Sequence, residues 1–264
     1  MTSFADAFRA AIENGDLAAF GAHLLQRARL EDGLTRFAGR AAILGWLNSL
    51  AAAFDSPRLH MLPQIDGPGL VAVDCRIEGN ATSAPAAGPF AGPPLSASLH
   101  LRLWARLEGR LAVELCAIAD WSEILRPAGH DLAEAARKRG AASPCHRPLG
   151  ELGSGLGQLG TDPAGSGWVA DFNARRPMES EMLRQQVRHL LAQMPDAHLL
   201  PEATLATGEG ALHLLRLTGH VNGRRVSLAA SKVVGGAWDM AGSEPLRFDS
   251  LALAATAHRP FHPD

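Results

Sequence analysis

The sequence predicts an α+β fold, organised as two related units joined by a linker. Two observations support this. Apolar residues first recur at helical spacing as far as Phe54 and then alternate with polar residues, as in half-buried strands. In addition, two short sequences from the N-terminal half recur in the same order in the C-terminal half. A run of helices followed by a run of antiparallel strands is typical of α+β domains.

Helix boundaries can be assigned from capping residues. Ser3 and Asp16 precede apolar residues at helical spacing, and Asn14-Gly15 separates the two segments. The second segment carries Leu17, Phe20 and Leu24 on one face. A third helix is expected between Gly39 and Pro57. We therefore expect three helices in succession before the first strand.

Three strands are expected next. Val71 to Ile77 and Leu99 to Leu107 show strict alternation, and Glu108-Gly109-Arg110 has the composition of a hairpin turn. The strand returning from that turn runs from Leu111 to Asp120.

Internal repetition defines the domain limits. His60-Met61-Leu62-Pro63 recurs as His198-Leu199-Leu200-Pro201, and the Arg76 to Gly79 segment recurs as Arg216 to Gly219. Gly, Pro and Ser dominate the region between the copies, after a short Ala-rich helix at 131–139. We predict a first domain at 1–130, a linker at 131–164 and a shorter second domain at 165–264.

Composition argues against several classes of function. The formal net charge is −2 and the basic residues are scattered, so no nucleic-acid partner is expected. Cys75, Cys116 and Cys145 lack the spacing of a zinc site or a disulfide framework. No apolar stretch is long enough to span a membrane, which predicts a cytoplasmic protein without membrane contact. Nucleotide-loop, metalloprotease and serine-hydrolase motifs do not occur, so neither cofactor nor metal is predicted.

Three segments of the first copy resemble motifs of the SnoaL-like polyketide cyclases, within the NTF2-like superfamily. They are Gly39-Arg40-Ala41-Ala42-Ile43, Gly88-Pro89-Phe90-Ala91-Gly92-Pro93-Pro94, and the ending from Glu114 to Gly129. The resemblance covers about residues 1–130. It implies that each unit is a cone, with N-terminal helices packed on a curved, mainly antiparallel sheet around an apolar pocket. Cyclases of this family close a polyketide ring without metal or cofactor.

The resemblance also suggests site residues. Asp120 falls on the position of the family's acid/base aspartate, but an aspartate at a strand end is equally typical of a helix N-cap. Strict alternation would turn Asp120 away from the pocket unless a bulge intervenes. Glu114, His60 and Trp46 are candidate substrate-binding residues, although His60 and Trp46 could equally be packing residues. Asp249 could correspond to Asp120 in the second copy, or the residues before it, Pro245-Leu246-Arg247-Phe248, could equally be the start of a plain final strand.

Two functions remain open at this point. The first is a cofactor-independent cyclase or isomerase that acts on a hydrophobic, polyketide-like carbonyl compound through Asp120. The second is a non-catalytic module that binds a small apolar molecule or associates through its sheet. His100, Arg102 and Trp104 alternate with leucines and would form the outer sheet face, where Trp and Arg are typical of interfaces. We expect the two units to pair within the chain through this face.

Overall fold

A computed structural model describes residues 2–84, 88–90, 95–142, 189–206, 211–234 and 246–257. Residues 143–164 of the predicted linker and residues 91–94 of the Gly/Pro-rich loop lie outside the described residues.

The N-terminal helices begin and end where their capping residues predict. They are α1 (Phe4–Asn14), α2 (Leu17–Gly21) and α3 (Arg40–Ala52). The Ser3 hydroxyl accepts the Asp6 N–H at 3.0 Å, and the Asp16 carboxylate accepts the Ala19 N–H at 3.0 Å. Gly15 ends α1 in the left-handed conformation, with φ of 70°.

The predicted succession of three helices is wrong in one respect, because two strands separate α2 from α3. These are β1 (Leu24–Asp32) and β2 (Thr35–Ala38), and Leu24 lies in β1 rather than on the second helix. Strand β1 also pairs with the strand at Leu111–Ala119, and the register of that pairing shifts between Leu24 and Arg29. This irregularity interrupts the two-residue alternation that would otherwise identify a strand.

The strands after α3 are β3 (Phe54–Met61), β4 (Ile65–Gly67), β5 (Leu70–Ala81), β6 (Ser83–Ala84), β7 (Gly88–Pro89), β8 (Leu95–Glu108) and β9 (Leu111–Ala119). Seven strands form the main sheet, in the order β2-β1-β9-β8-β5-β3, with β4 also paired to β5. The sheet is mixed, because β1 pairs with β9 in parallel. The pair β6 and β7 forms a separate small ladder. The three strands predicted from the sequence and the hairpin at Gly109, where φ is 63°, are confirmed.

One face of the main sheet packs on α1, α2 and α3 and forms an apolar core. Ala117 and Ala119 of β9 lie on this face, as alternation predicted. Two further helices, α4 (Ser122–Leu125) and α5 (Leu132–Ala142), add residues to the same core. We call elements α1 to α5 and β1 to β9 the N-terminal unit and the space between its helices and sheet the interior. The predicted α+β class is confirmed.

The rest of the described chain forms a second sheet, which we call the C-terminal unit together with its helices. Residues 189–193 are helical (α6), and β10 (His198–Ala206), β11 (Ala211–Val221), β12 (Arg224–Val234) and β13 (Arg247–Phe248) form an antiparallel sheet in that order. Helix α7 (Ser250–Thr256) follows β13. That this unit is a shortened copy of the first fold stays a prediction.

The outer face of the main sheet contacts the second sheet. Trp104 and Ile118 share an apolar cluster with Leu212 and Leu214 of β11. Helix α7 lies at the end of this contact and contributes side chains to the cores of both units. No helix among the described residues is both long and apolar enough to cross a membrane.

Candidate functional site

The interior of the N-terminal unit contains a buried carboxylate. Asp32 is the last residue of β1, and alternation places it on the same face as Ala28 and Leu30 of the core. The Trp46 indole of α3 donates its Nε1–H to Asp32 Oδ2 at 2.9 Å. The two residues are only 7% and 8% exposed. An acidic group is thus held in fixed geometry among apolar side chains.

The sequence predictions missed Asp32. No strand was predicted between the second helix and Gly39, so the place of Asp32 on a strand face could not be recognised. The available signal was an acidic residue two positions after Leu30 and four after Ala28, which is the spacing of one strand face.

The neighbouring Glu31 points to the opposite face of β1 and contacts the C-terminal unit. Arg216 donates from Nη1 to Glu31 Oε1 at 2.5 Å and from Nε to Glu202 Oε1 at 2.7 Å. Burial raises the pKa of Glu31 above its usual value, although Arg216 opposes the rise. Burial alone would lower the pKa of Arg216, but the carboxylates of Glu31 and Glu202 raise it instead. The end of β1 is therefore held by Trp46 on one face and by Arg216 on the other.

Asp120 lies where the chain leaves β9, on the side of the C-terminal unit. Its Oδ1 accepts the Ser122 backbone N–H at 3.1 Å, which is a local turn bond rather than an N-cap bond, because the N-cap residue of α4 is Trp121. The Ser250 hydroxyl of α7 lies 2.9 Å from Oδ1 and 2.8 Å from Oδ2 and donates to this carboxylate. The register of β8 and β9 is regular at Leu101 and Ala119, so no bulge turns Asp120 towards the interior.

The other predicted site residues do not surround Asp120. Glu114 is on the outer face of β9 and accepts a bond from Arg106 Nε at 2.9 Å. His60 lies at the surface on β3, with Nε2 3.1 Å from Glu78 Oε2 and its side chain 65% exposed. Trp46 alone of the four predicted residues lies in the interior, next to Asp32.

Asp249 of the C-terminal unit is the N-cap of α7, where its Oδ1 accepts the Ala252 N–H at 2.8 Å. This is the same type of bond that Asp16 makes at the start of α2. Within the described ranges, no group of three or more His, Cys, Asp or Glu side chains is arranged to hold a metal ion.

Comparison with known proteins gives resemblances at the level of structure. No protein-family model matches the chain, and no curated protein matches its sequence. Structural neighbours include a Catenulispora acidiphila protein with a ketosteroid isomerase-like fold, solved with trimethylamine, at 17% identity and a TM-score of 0.40 over 50% of this chain and 95% of that one. IdmH of Streptomyces antibioticus, assigned as a polyketide cyclase, has 19% identity and a TM-score of 0.40 over 48% and 99%. A protein of Shewanella denitrificans assigned as a SnoaL-like polyketide cyclase has 11% identity and a TM-score of 0.40 over 47% and 92%.

Proposed function

We propose that this chain is a cofactor-independent acid–base enzyme of the cyclase or isomerase class, with Asp32 as its proton-transfer group. The observation that carries the proposal is the Asp32 carboxylate, buried in the apolar interior and oriented by the Trp46 indole. Enzymes use positioned carboxylates for proton transfer, and apolar surroundings favour such roles because they exclude water.

The substrate class follows from the residues around Asp32. The side chains of the interior are almost entirely apolar, with phenylalanines, leucines and isoleucines from the helices and from the sheet. These side chains match a small hydrophobic compound with one carbonyl group in chemical character, since a single polar group needs only one or two partners. In the reaction, Asp32 accepts a proton from the carbon next to the carbonyl, the C–H electron pair forms a C=C bond, and the carbonyl π electrons move onto oxygen.

The sequence resemblance suggests Asp120 as an alternative proton-transfer group. Its hydrogen bonds with Ser122 and Ser250 support a structural role. We therefore assign Asp120 to the junction between the units and the acid–base step to Asp32.

The test compares two matched variants in one assay. The protein is incubated in deuterated water with 2-acetylnaphthalene, a two-ring methyl ketone, and deuterium incorporation at the methyl group is followed by NMR. Asp32→Asn keeps an oxygen for the Trp46 bond but cannot take the proton, so we expect the exchange rate to fall on the order of 10²- to 10⁴-fold. Asp120→Asn should leave the rate within about twofold of wild type. An unchanged rate in Asp32→Asn, or a large loss in Asp120→Asn, would overturn the assignment.

A second function is favoured by the contact between the sheets. We propose that the C-terminal unit acts as an internal partner for the outer sheet face of the N-terminal unit. Arg102 is 1% exposed and donates from Nη1 to Ser231 Oγ at 2.9 Å, and Trp104 packs beside it. Analytical ultracentrifugation tests this. A monomer is expected, and a dimer formed through this face would contradict it.

A further inference from the structure

The indole of Trp121 is a hydrogen-bond donor in the interior that has no acceptor in the described part of the chain. The residue is 2% exposed and packs with Ala119 and Ile124 in the apolar core. A buried donor without a partner costs roughly 2–5 times RT, because it loses its bonds to water. Such a group is retained at a cost to stability, and a bound ligand with an accepting oxygen would satisfy it.

The fold places Trp121 at the same end of the sheet as Asp32. Strands β1 and β9 are parallel, and Asp32 is the register partner of Ala117. Ala117, Ala119 and Trp121 all belong to the interior core, as expected for alternate positions. Adjacent strands about 4.8 Å apart and a rise of about 3.3 Å per residue put the two Cα atoms no more than roughly 14 Å apart. A two-ring ligand and the two side chains can span this separation.

We propose that the interior binds an apolar ligand with one carbonyl or phenolic oxygen, and that this oxygen accepts the Trp121 Nε1–H. The inference rests on the proposed function in one respect, because it makes Trp121 the second group, beside Asp32, in the proposed reaction. When Asp32 takes the proton, negative charge develops on the carbonyl oxygen, and a donor aimed at that oxygen stabilises it. Trp121 thus binds the oxygen while Asp32 receives the proton.

The chain offers a matched control. Trp104 is 4% exposed, and its indole N–H likewise has no acceptor among the described residues, but it lies between the two sheets rather than in the interior. Phenylalanine at either position removes the N–H and keeps an aromatic ring. The two substitutions therefore differ in the location of the lost donor and not in its chemistry.

Binding is measured by calorimetry with two probes of similar shape, 2-acetylnaphthalene and 2-ethylnaphthalene, which has no oxygen. Wild type should bind the ketone roughly 2- to 10-fold more tightly than the hydrocarbon, the preference expected of one net hydrogen bond. In Trp121→Phe this ratio should fall to about one, whereas Trp104→Phe should keep it. A ratio that survives in Trp121→Phe, or the failure of either probe to bind wild type, would overturn the proposal.

A measurement on the wild-type protein covers the case in which Trp121→Phe does not fold. The five tryptophans give separate indole N–H signals in a ¹⁵N spectrum. The ketone should move the Trp121 signal downfield and the hydrocarbon should not; equal shifts with both probes would count against the bond. Asp32→Asn separates this proposal from the proposed function. If that variant keeps both the ketone preference and the deuterium exchange, the function fails while the binding site stands.

Discussion

At the residue scale, the direction of each side chain decides its role more than its position in a motif. Glu31 and Asp32 are adjacent acidic residues on one strand, and the pleat turns them to opposite faces. Glu31 forms an ion pair with Arg216 of the C-terminal unit, whereas Asp32 accepts a bond from Trp46 in the interior. A resemblance between motifs aligns positions along the chain and does not report such directions.

The surroundings of Asp120 were predictable from the sequence only in part. The register with β8 is regular from Glu114 to Ala119, so alternation along this stretch leaves Asp120 facing away from the interior. Its bond from the Ser122 N–H is local and fits a structural role rather than a catalytic one. The bond from Ser250 was not predictable, because the two residues are 130 positions apart in the sequence.

Asp120 should therefore contribute to stability. Asp120→Ala removes the acceptor of the Ser122 N–H and of the Ser250 hydroxyl, and we expect a loss of roughly 0.5–2 kcal/mol in the free energy of unfolding. Asp120→Asn keeps one oxygen and should lose much less, since an asparagine side chain accepts the same type of local turn bond. Urea unfolding followed by circular dichroism measures both changes. Equal losses in the two variants would show that the local turn bond contributes little.

At the element scale, regular elements were predictable and irregular ones were not. Strand β5 and most of the β8–β9 hairpin alternate regularly, and the sequence located them closely, although the hairpin register shifts between Arg106 and Leu107. Strand β1 contains a register shift, and its first residue, Leu24, fits the helical spacing of Leu17 and Phe20, so the pattern predicts Leu24 on a helix and no strand after it. Helix α7 was not predicted, because the side chains that it packs against lie in both units and a local sequence pattern does not show them.

Helix α7 joins the two cores through different residues. Leu251 is 2% exposed in the core of the N-terminal unit, while Ala252 and Leu253 lie in that of the C-terminal unit. Leu251→Ala should lower the free energy of unfolding by about 2–5 kcal/mol, the usual cost of a buried Leu→Ala change. Leu200→Ala is the control, because Leu200 is 51% exposed, and its effect should stay within about 0.5 kcal/mol. Similar effects of the two substitutions would contradict the placement of α7.

At the scale of the whole molecule, two buried ionic clusters lie at the contact between the sheets. Arg216 joins Glu31 and Glu202 in one, and Asp74 pairs with Arg102 and His100 in the other. The sequence predicted that Arg102 and His100 lie on the outer face, because they alternate with leucines along β8. It could not identify their partners, since Arg102 meets Ser231 across 129 positions of sequence. Pairing within the chain is thus supported by contacts that only the folded chain defines.

The cluster of Asp74, Arg102 and His100 makes the free energy of unfolding depend on pH. Arg102 Nε donates to Asp74 Oδ2 at 2.6 Å, and His100 Nε2 lies 2.5 Å from Asp74 Oδ1. Burial alone would raise the pKa of Asp74, but Arg102 and His100 outweigh it and hold that pKa below its usual value. A carboxyl group of this kind binds its proton less tightly in the folded state. Its contribution to stability is therefore present above the unfolded-state pKa of about 3.9 and is lost as pH falls through the lowered folded-state value.

Asp74→Asn tests this dependence, because asparagine fills the same space but cannot carry the charge. Near neutral pH the variant leaves Arg102 as a buried charge without Asp74, and we expect a loss of about 3–5 kcal/mol relative to wild type. That difference should shrink as pH falls below about 4, because the unfolded wild-type chain then takes up a proton at Asp74 more readily than the folded chain does. Urea unfolding between about pH 3 and pH 5 measures this difference. Asp66→Asn, at an exposed position of β4, is the control and should show no such trend. A difference between Asp74→Asn and wild type that stays constant or grows as pH falls would show that the charge of Asp74 does not stabilise the contact between the sheets.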